Sequence, residues 1–256
     1  MHSIFISGAA QGIGAAVATL FYQHGYKVGI YDLNHDQAIA LANQLGDRAK
    51  GGLLDVADYA SWQTALSEFN AWAGEMNILV NNAGVLYSGD FDQSNIQDHH
   101  RTIDINIKGV VNGCHAALPF LKKASFARVI NLSSASAIYG QADLASYSMS
   151  KFAVRGLTES LDIEWEKYNI RVLDVMPLFV QTAMVKDMQA ESIKKMGVHL
   201  SPEDVAAEIL KLAGLKTTMW TATHRPIGFK GKFLFKLSRM SPQWFNRYSN
   251  LLIAKK

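Results

Sequence analysis

Residues 3–23 place a short apolar strand, the turn Gly8-Ala9-Ala10-Gln11-Gly12-Ile13-Gly14 and a helix in immediate succession. This succession narrows the fold more than any other feature of the chain. Glycine is needed where a backbone turns tightly and must come close to a ligand with no Cβ in between. A helix that starts directly after the turn presents free N–H groups and the positive end of its dipole. Together they form a cradle for a phosphate, with Gly8, Gln11, Gly12, Ile13 and Gly14 as candidate contacts. The spacing is GxxxGxG and not the commoner GxGxxG.

The pattern then continues. A strand over 27–31 ends in Asp32, 24 residues beyond Gly8, near the ~20-residue offset of an acid that binds a ribose 2′-hydroxyl. A carboxylate there repels a 2′-phosphate. Leu33 follows and Gln11 occupies the turn, so neither position offers a cation to neutralise one, and NAD is favoured over NADP. Helix 35–45, strand 51–54, helix 60–72 and strand 77–80 follow. Such alternation predicts an α/β, Rossmann-type doubly wound parallel sheet flanked by helices, with ligands at the carboxyl ends of the strands. Asp55 and Val56 lie at one such end, beside an expected adenine. Asn82, Ala83 and Gly84 lie at the next, where Asn82 could contact cofactor or tie adjacent strand ends together.

Residues 95–123 read as one long helical stretch. A polar Asn106 and a Gly109 within it cost stability relative to alanine and point to a local task, either holding a water or bonding a kinked backbone. Strand 128–132 delivers Ser133 and Ser134 at its end. Thirteen residues after Ser134 comes Tyr147-Ser148-Met149-Ser150-Lys151, whose Tyr and Lys share one helical face. Tyrosine is a poor base at neutral pH, its reference pKa being about 10, and a neighbouring ammonium favours the phenolate. Lowering that pKa by roughly 3 units asks for about 4 kcal/mol, within reach of one lysine plus a cationic cofactor ring in a dry site.

In this order the motifs resemble the short-chain dehydrogenase/reductase superfamily, single-domain branch, over roughly residues 3–215. Ser7 to Gly14 is similar to its TGxxxGxG; Asp55, Asn81-Asn82-Ala83-Gly84, Asn106, Ser134 and Tyr147…Lys151 fall where its Asp, NNAG, Asn, Ser and YxxxK fall. The resemblance implies an active site of Asn106, Ser134, Tyr147 and Lys151. In it Tyr147 is the acid/base, Ser134 holds the substrate oxygen, Lys151 lowers the tyrosine pKa and binds the nicotinamide ribose, and Asn106 positions a relay water. It also implies Pro177, Val180 and Thr182 beside the carboxamide, and a homodimer or homotetramer built on the helices at 95–123 and 147–168. Leu178 stands where the family usually has Gly, which alters the expected shape beside the nicotinamide.

The remainder bears on substrate and surroundings. Met184, Val185, Met188, Ile193 and Met196 offer an adaptable apolar lining over the site. Ser201-Pro202 opens a helix over 205–215, and a short strand is expected near 218–221. The domain is expected to end at 222, leaving a basic amphipathic extension over 223–256. Residues 1–208 carry 15 Lys/Arg and all 22 Asp/Glu, whereas 209–256 carry 10 Lys/Arg and no acid. Phe229, Phe233, Leu237 and Met240, then Trp244, Phe245, Tyr248, Leu251 and Leu252, recur at helical spacing. The extension reads as a membrane-surface element, a lid over a lipophilic substrate or a subunit clamp. No apolar run approaches the ~18 residues of a membrane span, and neither a signal peptide nor a nucleic-acid motif is evident. One cysteine, Cys114, excludes an internal disulfide framework, so a cytoplasmic home is expected. The expected activity is hydride transfer between NAD(H) and a hydrophobic secondary alcohol or ketone. A 3-oxoacyl reductase on a carrier-bound thioester is the alternative. A catalytically idle dinucleotide sensor is disfavoured because Tyr147 and Lys151 are both present. No metal site is expected.

Overall fold

The structure, a computed structural model, describes residues 1–186, 197–215 and 221–254. Seven parallel strands form one sheet in the order β3-β2-β1-β4-β5-β6-β7. They are β1 (Ser3–Ser7), β2 (Lys27–Asp32), β3 (Ala49–Leu53), β4 (Ile78–Asn81), β5 (Ala127–Leu132), β6 (Ile170–Met176) and β7 (His224–Pro226). The chain winds outward from β1 to β3, then returns to β4 on the other side, so Ile6 lies between Ile30 and Val80. Between β1 and β4 the crossovers diverge and leave a crevice at the strand ends. The sheet is covered on both faces, which is why β1 and β5 are buried throughout.

One face is covered by α1 (Gly12–Gln23), α2 (His35–Leu45) and α8 (Pro202–Gly214); Val17, Phe21, Val205 and Ile209 lie in the core beneath them. The other is covered by α3 (Tyr59–Ala73), α5 (Gly109–Leu121) and α6 (Ala145–Glu164), with Trp62, Phe69, Ala117 and Val154 inside. Ser201 and Asp204 form a reciprocal cap on α8, with Pro202 in its first turn. The sheet assignment drawn from sequence thus holds, with shifts of a few residues: α1 begins at Gly12 and β3 ends one residue before Leu54.

Two departures bear on the site. The stretch 95–123 is not one regular helix. It runs as α4 (Ile96–Ile103), a wide π-helical turn over Asp104–Lys108, and α5, and that turn contains Asn106. The strand expected near 218–221 falls largely outside the described residues. The seventh strand is instead His224–Pro226, supplied by the C-terminal extension itself. After a short α7 (Ala183–Lys186), the extension adds α9 (Gly228–Met240) and α10 (Gln243–Ala254).

Polar side chains hold the layers that carry the site. Asn81 Nδ2 donates to Asn131 Oδ1 at 2.8 Å, and Asn131 Nδ2 donates to Thr158 Oγ1 at 2.9 Å. This buried ladder ties β4 and β5 to α6. Towards the sheet edge, Arg171 grips Asp162 through Nε and Nη2 at 2.7 and 2.9 Å, and Thr223 donates to the same carboxylate at 2.9 Å. His224 bridges buried Asp174 (2.8 Å) and Glu159 (2.7 Å). These bonds fix the base of the extension to α6 and β6.

Burial would raise the Asp162 pKa, but the Arg171 fork overcomes it and holds the carboxyl below the ordinary range. Its contribution is therefore present above the pKa of an unfolded aspartate and is lost as pH falls through the folded one. Asp162→Asn is expected to cost about 3 kcal/mol in urea unfolding at neutral pH, because it strands a largely buried guanidinium. The double replacement Asp162→Leu/Arg171→Met is expected to recover part of that loss.

Candidate active site

A cleft of about 310 Å³ opens at the carboxyl ends of the central strands. Asp32, Leu33, Asp55 and Val56 line one region of it, Gly8, Gln11, Gly12 and Ile13 another, and Ser134, Tyr147 and Lys151 a third. Asn82, Ala83 and Gly84 also line it, as do Pro177, Val180 and Thr182. Two expected site residues do not. Gly14 lies inside the turn, where an added Cβ would come 2.4 Å from the Gly8 carbonyl oxygen and 2.7 Å from Asn82 Nδ2. Its task is close packing of helix on strand. Asn106 is fully buried behind the cleft wall.

The glycine turn is built as a phosphate cradle. Gly8 has φ +63°, and a Cβ there would meet Ala83 Cα at 2.7 Å, so a side chain would be both strained and blocked. No side chain caps the first turn of α1, which leaves its N–H groups needing an acceptor. Across the cleft, Thr182 Cγ2 is 3.5 Å from the point a Cβ on Gly12 would occupy. Asp32 Oδ2 accepts from Ala10 N at 3.0 Å and Oδ1 from Asn34 N at 2.9 Å, so backbone amides aim the carboxylate. Lys151 is the sole cation among the described cleft-lining residues. These features fit a dinucleotide: donors for its phosphates, an acceptor for a ribose hydroxyl, and a polar end for its reactive ring.

Asn82 binds protein. Its Nδ2 donates to the Ser7 and Gly8 carbonyls at 3.0 and 2.7 Å, and its backbone N–H donates to Ser7 Oγ at 3.1 Å. It staples β4 to the glycine turn, and Ser7 serves in place of Thr as the acceptor. Asn106 is similarly engaged: Oδ1 accepts from Val85 N at 2.8 Å, while Nδ2 donates to Val85 O at 2.9 Å and to Ser150 Oγ at 3.1 Å. Both amide hydrogens are thus committed. The side chain fastens the loop after β4 to α6 inside the π-helical turn, which favours the backbone-bonded reading of this position.

Tyr147 and Lys151 sit on consecutive turns of α6, with Nζ 5.5 Å from the phenol ring centre. Lys151 is buried and donates to the Leu132 carbonyl at 2.7 Å. Burial pulls its pKa down to about 8. Burial also pushes the Tyr147 phenol up to about 12, with the Ser134 hydroxyl bond opposing that rise. The sequence expectation joins Lys151 to a cationic cofactor ring; in the chain by itself burial outweighs the Ser134 bond, and the phenol stays above its ordinary value. Ser136 lines the same end of the cleft, 3.3 Å from Ser134 Oγ. Sequence reasoning passed over it, although a Ser-Ala-Ser turn at a strand end was the available signal.

Leu178 takes an ordinary backbone conformation, since among the described residues the non-glycine positions with positive φ are Asp143 and Asn169. It packs against buried Leu144 and Phe179 on one side and, on the other, against the cluster of Ala135, Ala137, Ile138 and Met176, on which Leu234 and Phe235 of α9 also pack. Where the family usually has glycine, this chain places an apolar bridge between cleft and extension. Met184 also lines the cleft. Met188, Ile193 and Met196 lie outside the described residues, as does the Val185 side chain.

A family profile described as short chain dehydrogenase matches residues 2–193. The chain belongs to the short-chain dehydrogenase/reductase family. It is 37% identical to oxidoreductase UcpA of Salmonella typhimurium over 215 residues, covering 82% of this chain and 80% of that one. It is 33% identical to trans-4-hydroxycyclohexanecarboxylate dehydrogenase of Sinomonas cyclohexanicum, covering 87% and 89%, and equally identical to 3-alpha-(or 20-beta)-hydroxysteroid dehydrogenase of Mycobacterium bovis, covering 81% and 80%. Among solved structures, 3-ketoacyl-(acyl-carrier-protein) reductase from Brucella melitensis, complexed with NADH, matches with TM-score 0.81 and 27% identity, covering 88% of this chain and 95% of that one. As a short-chain dehydrogenase/reductase, the chain is an oxidoreductase acting on alcohol or ketone groups with NAD(P).

Lys151 holds its proton less firmly in the folded than in the unfolded chain. Between its folded pKa of about 8 and the unfolded value, the unfolded state binds more protons, so stability rises with pH. Urea midpoints of the purified protein without cofactor are expected to show this rise from about pH 8 toward pH 10 in wild type but not in Lys151→Met.

Proposed function

We propose that this chain moves a hydride between NAD(H) and a hydrophobic secondary alcohol or ketone of steroid, retinoid or lipid type, with Tyr147 exchanging the hydroxyl proton. The single observation behind this reading is the meeting of Ser134, Tyr147 and Lys151 in a cleft that also contains Asp32 and apolar Leu86, Leu178, Phe179 and Met184. Asp32 accepts from the adenosine ribose, and the absence of another lining cation near it supports NAD over NADP. Gly8, Gln11, Gly12 and Ile13 hold the pyrophosphate, Asp55 and Val56 border the adenine, and Ala83 and Gly84 give the ribose close access. Pro177, Val180 and Thr182 hold the carboxamide. Gly14 and Asn82 act by keeping the cradle in shape.

In this scheme Ser134 donates to the substrate oxygen and so aligns it with the Tyr147 phenol. In the oxidative direction Tyr147 takes the hydroxyl proton, and in reduction it returns it. The bound dinucleotide supplies the hydride acceptor or donor and, when oxidised, a positive ring that favours phenolate. Lys151 binds the nicotinamide ribose and adds to that field. Asn106, through its hold on Val85 and Ser150, keeps α6 in register with the loop, and a relay water would depend on its backbone and not on its amide hydrogens.

The apolar walls and the likeness to a hydroxysteroid dehydrogenase support a lipophilic substrate. The likeness to a ketoacyl reductase, together with the basic extension, favours the second reading, a 3-oxoacyl thioester on an acidic carrier or CoA. Exposed Val111, Met149, Phe152 and Ile163 on α5 and α6 support a homodimer or homotetramer. A cytoplasmic home, with the extension touching a membrane surface, completes the proposal.

The test is NAD⁺ and NADP⁺ reduction over a panel of aliphatic, steroid and 3-hydroxyacyl alcohols. NAD⁺ and a lipophilic secondary alcohol are expected to give the highest kcat/KM. Tyr147→Phe is expected to lower kcat by about 10²–10⁴-fold while leaving NADH binding, read by fluorescence, nearly intact. Persistent turnover in that variant contradicts the assignment of Tyr147.

A further inference from the structure

The two C-terminal helices leave a row of large apolar side chains exposed in addition to the residues they bury. On α9, Leu234 and Phe235 turn inward against the cluster of Ala135, Ala137, Ile138 and Met176. Phe229 is 86%, Phe233 57% and Met240 77% exposed, with Lys232 and Lys236 also exposed. On α10, Phe245, Asn246, Ser249 and Asn250 are less exposed than their neighbours, and Asn250 Nδ2 donates to the Gly140 carbonyl at 3.3 Å. Trp244, Tyr248 and Leu251 point outward beside exposed Arg247. Scattered exposed apolar residues are common; a row of large ones on two successive helices is not.

We propose that this outer face of α9 and α10 docks on an anionic lipid bilayer. Charge decides between a bilayer and a second copy. The extension over 223–256 carries eight Lys/Arg and no acid, so a two-fold pairing of this face would bring Lys232, Lys236 and Arg247 against their own copies. Anionic headgroups neutralise the same cations, each worth about 1 kcal/mol near such a surface. Phe229, Phe233 and Met240 supply the apolar insertion, and Trp244 and Tyr248 have the amphipathic rings that settle at headgroup depth. The rest of the chain, with 15 Lys/Arg against 22 Asp/Glu, is repelled by the same surface, which orients the molecule with its extension down.

The docked face has a short path to the cleft. Leu234 and Phe235 on the inner side of α9 pack on the same buried cluster, Ala135, Ala137, Ile138 and Met176, as Leu178, which lines the cleft. One helix therefore lies between bilayer and site. Resting on the lipophilic-substrate reading above, this arrangement brings the cleft to the surface in which such a substrate is dissolved.

The experiment is co-sedimentation of the full-length protein with phosphatidylcholine vesicles containing or lacking phosphatidylglycerol. Binding is expected only with phosphatidylglycerol and is expected to fall with added salt. Lys232→Glu/Lys236→Glu and, separately, Phe229→Ser/Phe233→Ser/Trp244→Ser are each expected to weaken it at least about tenfold. NADH binding and turnover of a water-soluble secondary alcohol are expected to stay unchanged in both. Failure of the wild type to sediment with phosphatidylglycerol vesicles overturns the proposal, and so does binding that neither variant weakens. If the substitutions instead split an oligomer on size exclusion, with no vesicle binding in wild type, the face belongs to a second copy. Turnover is measured independently, so loss of the enzymatic reading would show there and not in sedimentation.

Discussion

Desolvation of Tyr147 and Lys151 is the constraint on which the cleft depends. Both groups lie where protein replaces water, and that replacement moves them in opposite directions: the phenol up to about 12, the ammonium down to about 8. A site left in this condition holds a neutral phenol at physiological pH and is a poor base. The cost is sustained by the surrounding bonds. The Leu132 carbonyl fixes Nζ, Ser134 meets the phenol, and the Asn81–Asn131–Thr158 ladder pins α6 to the sheet. These bonds hold the two side chains in place on α6. Preorganisation of this kind keeps reorganisation out of the chemical step.

The same economy of position runs through the cradle. Asn82, Ser7 and Gly14 serve by holding β1, β4 and α1 close enough for the glycine turn to exist. Asn106 does the same for the loop after β4. Leu178 extends the arrangement outward: it lines the cleft and shares a buried cluster with Leu234 and Phe235 of α9, and α9 in turn carries the exposed apolar and basic face.

Much of this was legible in sequence because it is local. The glycine turn, Asp32 at a strand end, Ser134 at another and the four-residue step from Tyr147 to Lys151 are all patterns of neighbouring residues. Strand and helix alternation gave the sheet for the same reason. What escaped is non-local. The ladder joins residues from β4, β5 and α6, although Asn131 within Val129-Ile130-Asn131-Leu132 was a hint, since Asn is depleted in strands. The His224 bridge to Asp174 and Glu159 spans three elements. The π-helical turn at Asn106 leaves no periodic signature of its own. The extent of burial around Tyr147, which raises its pKa in the chain by itself, is non-local too, because a sequence shows the neighbouring lysine but not how much protein surrounds the phenol. The outward apolar face of α9 and α10 shows periodicity in sequence, yet periodicity does not tell which side is buried.

The central claim is that the folded chain leaves Tyr147 a phenol and that oxidised dinucleotide shifts it toward phenolate. The most direct test is near-ultraviolet difference spectroscopy of wild type against Tyr147→Phe, about one pH unit below the ordinary tyrosine pKa, with and without saturating NAD⁺. A phenol signal without NAD⁺ and a phenolate signal with it is the predicted result. A phenolate already present without NAD⁺, or a titration that NAD⁺ leaves unmoved, would contradict the account.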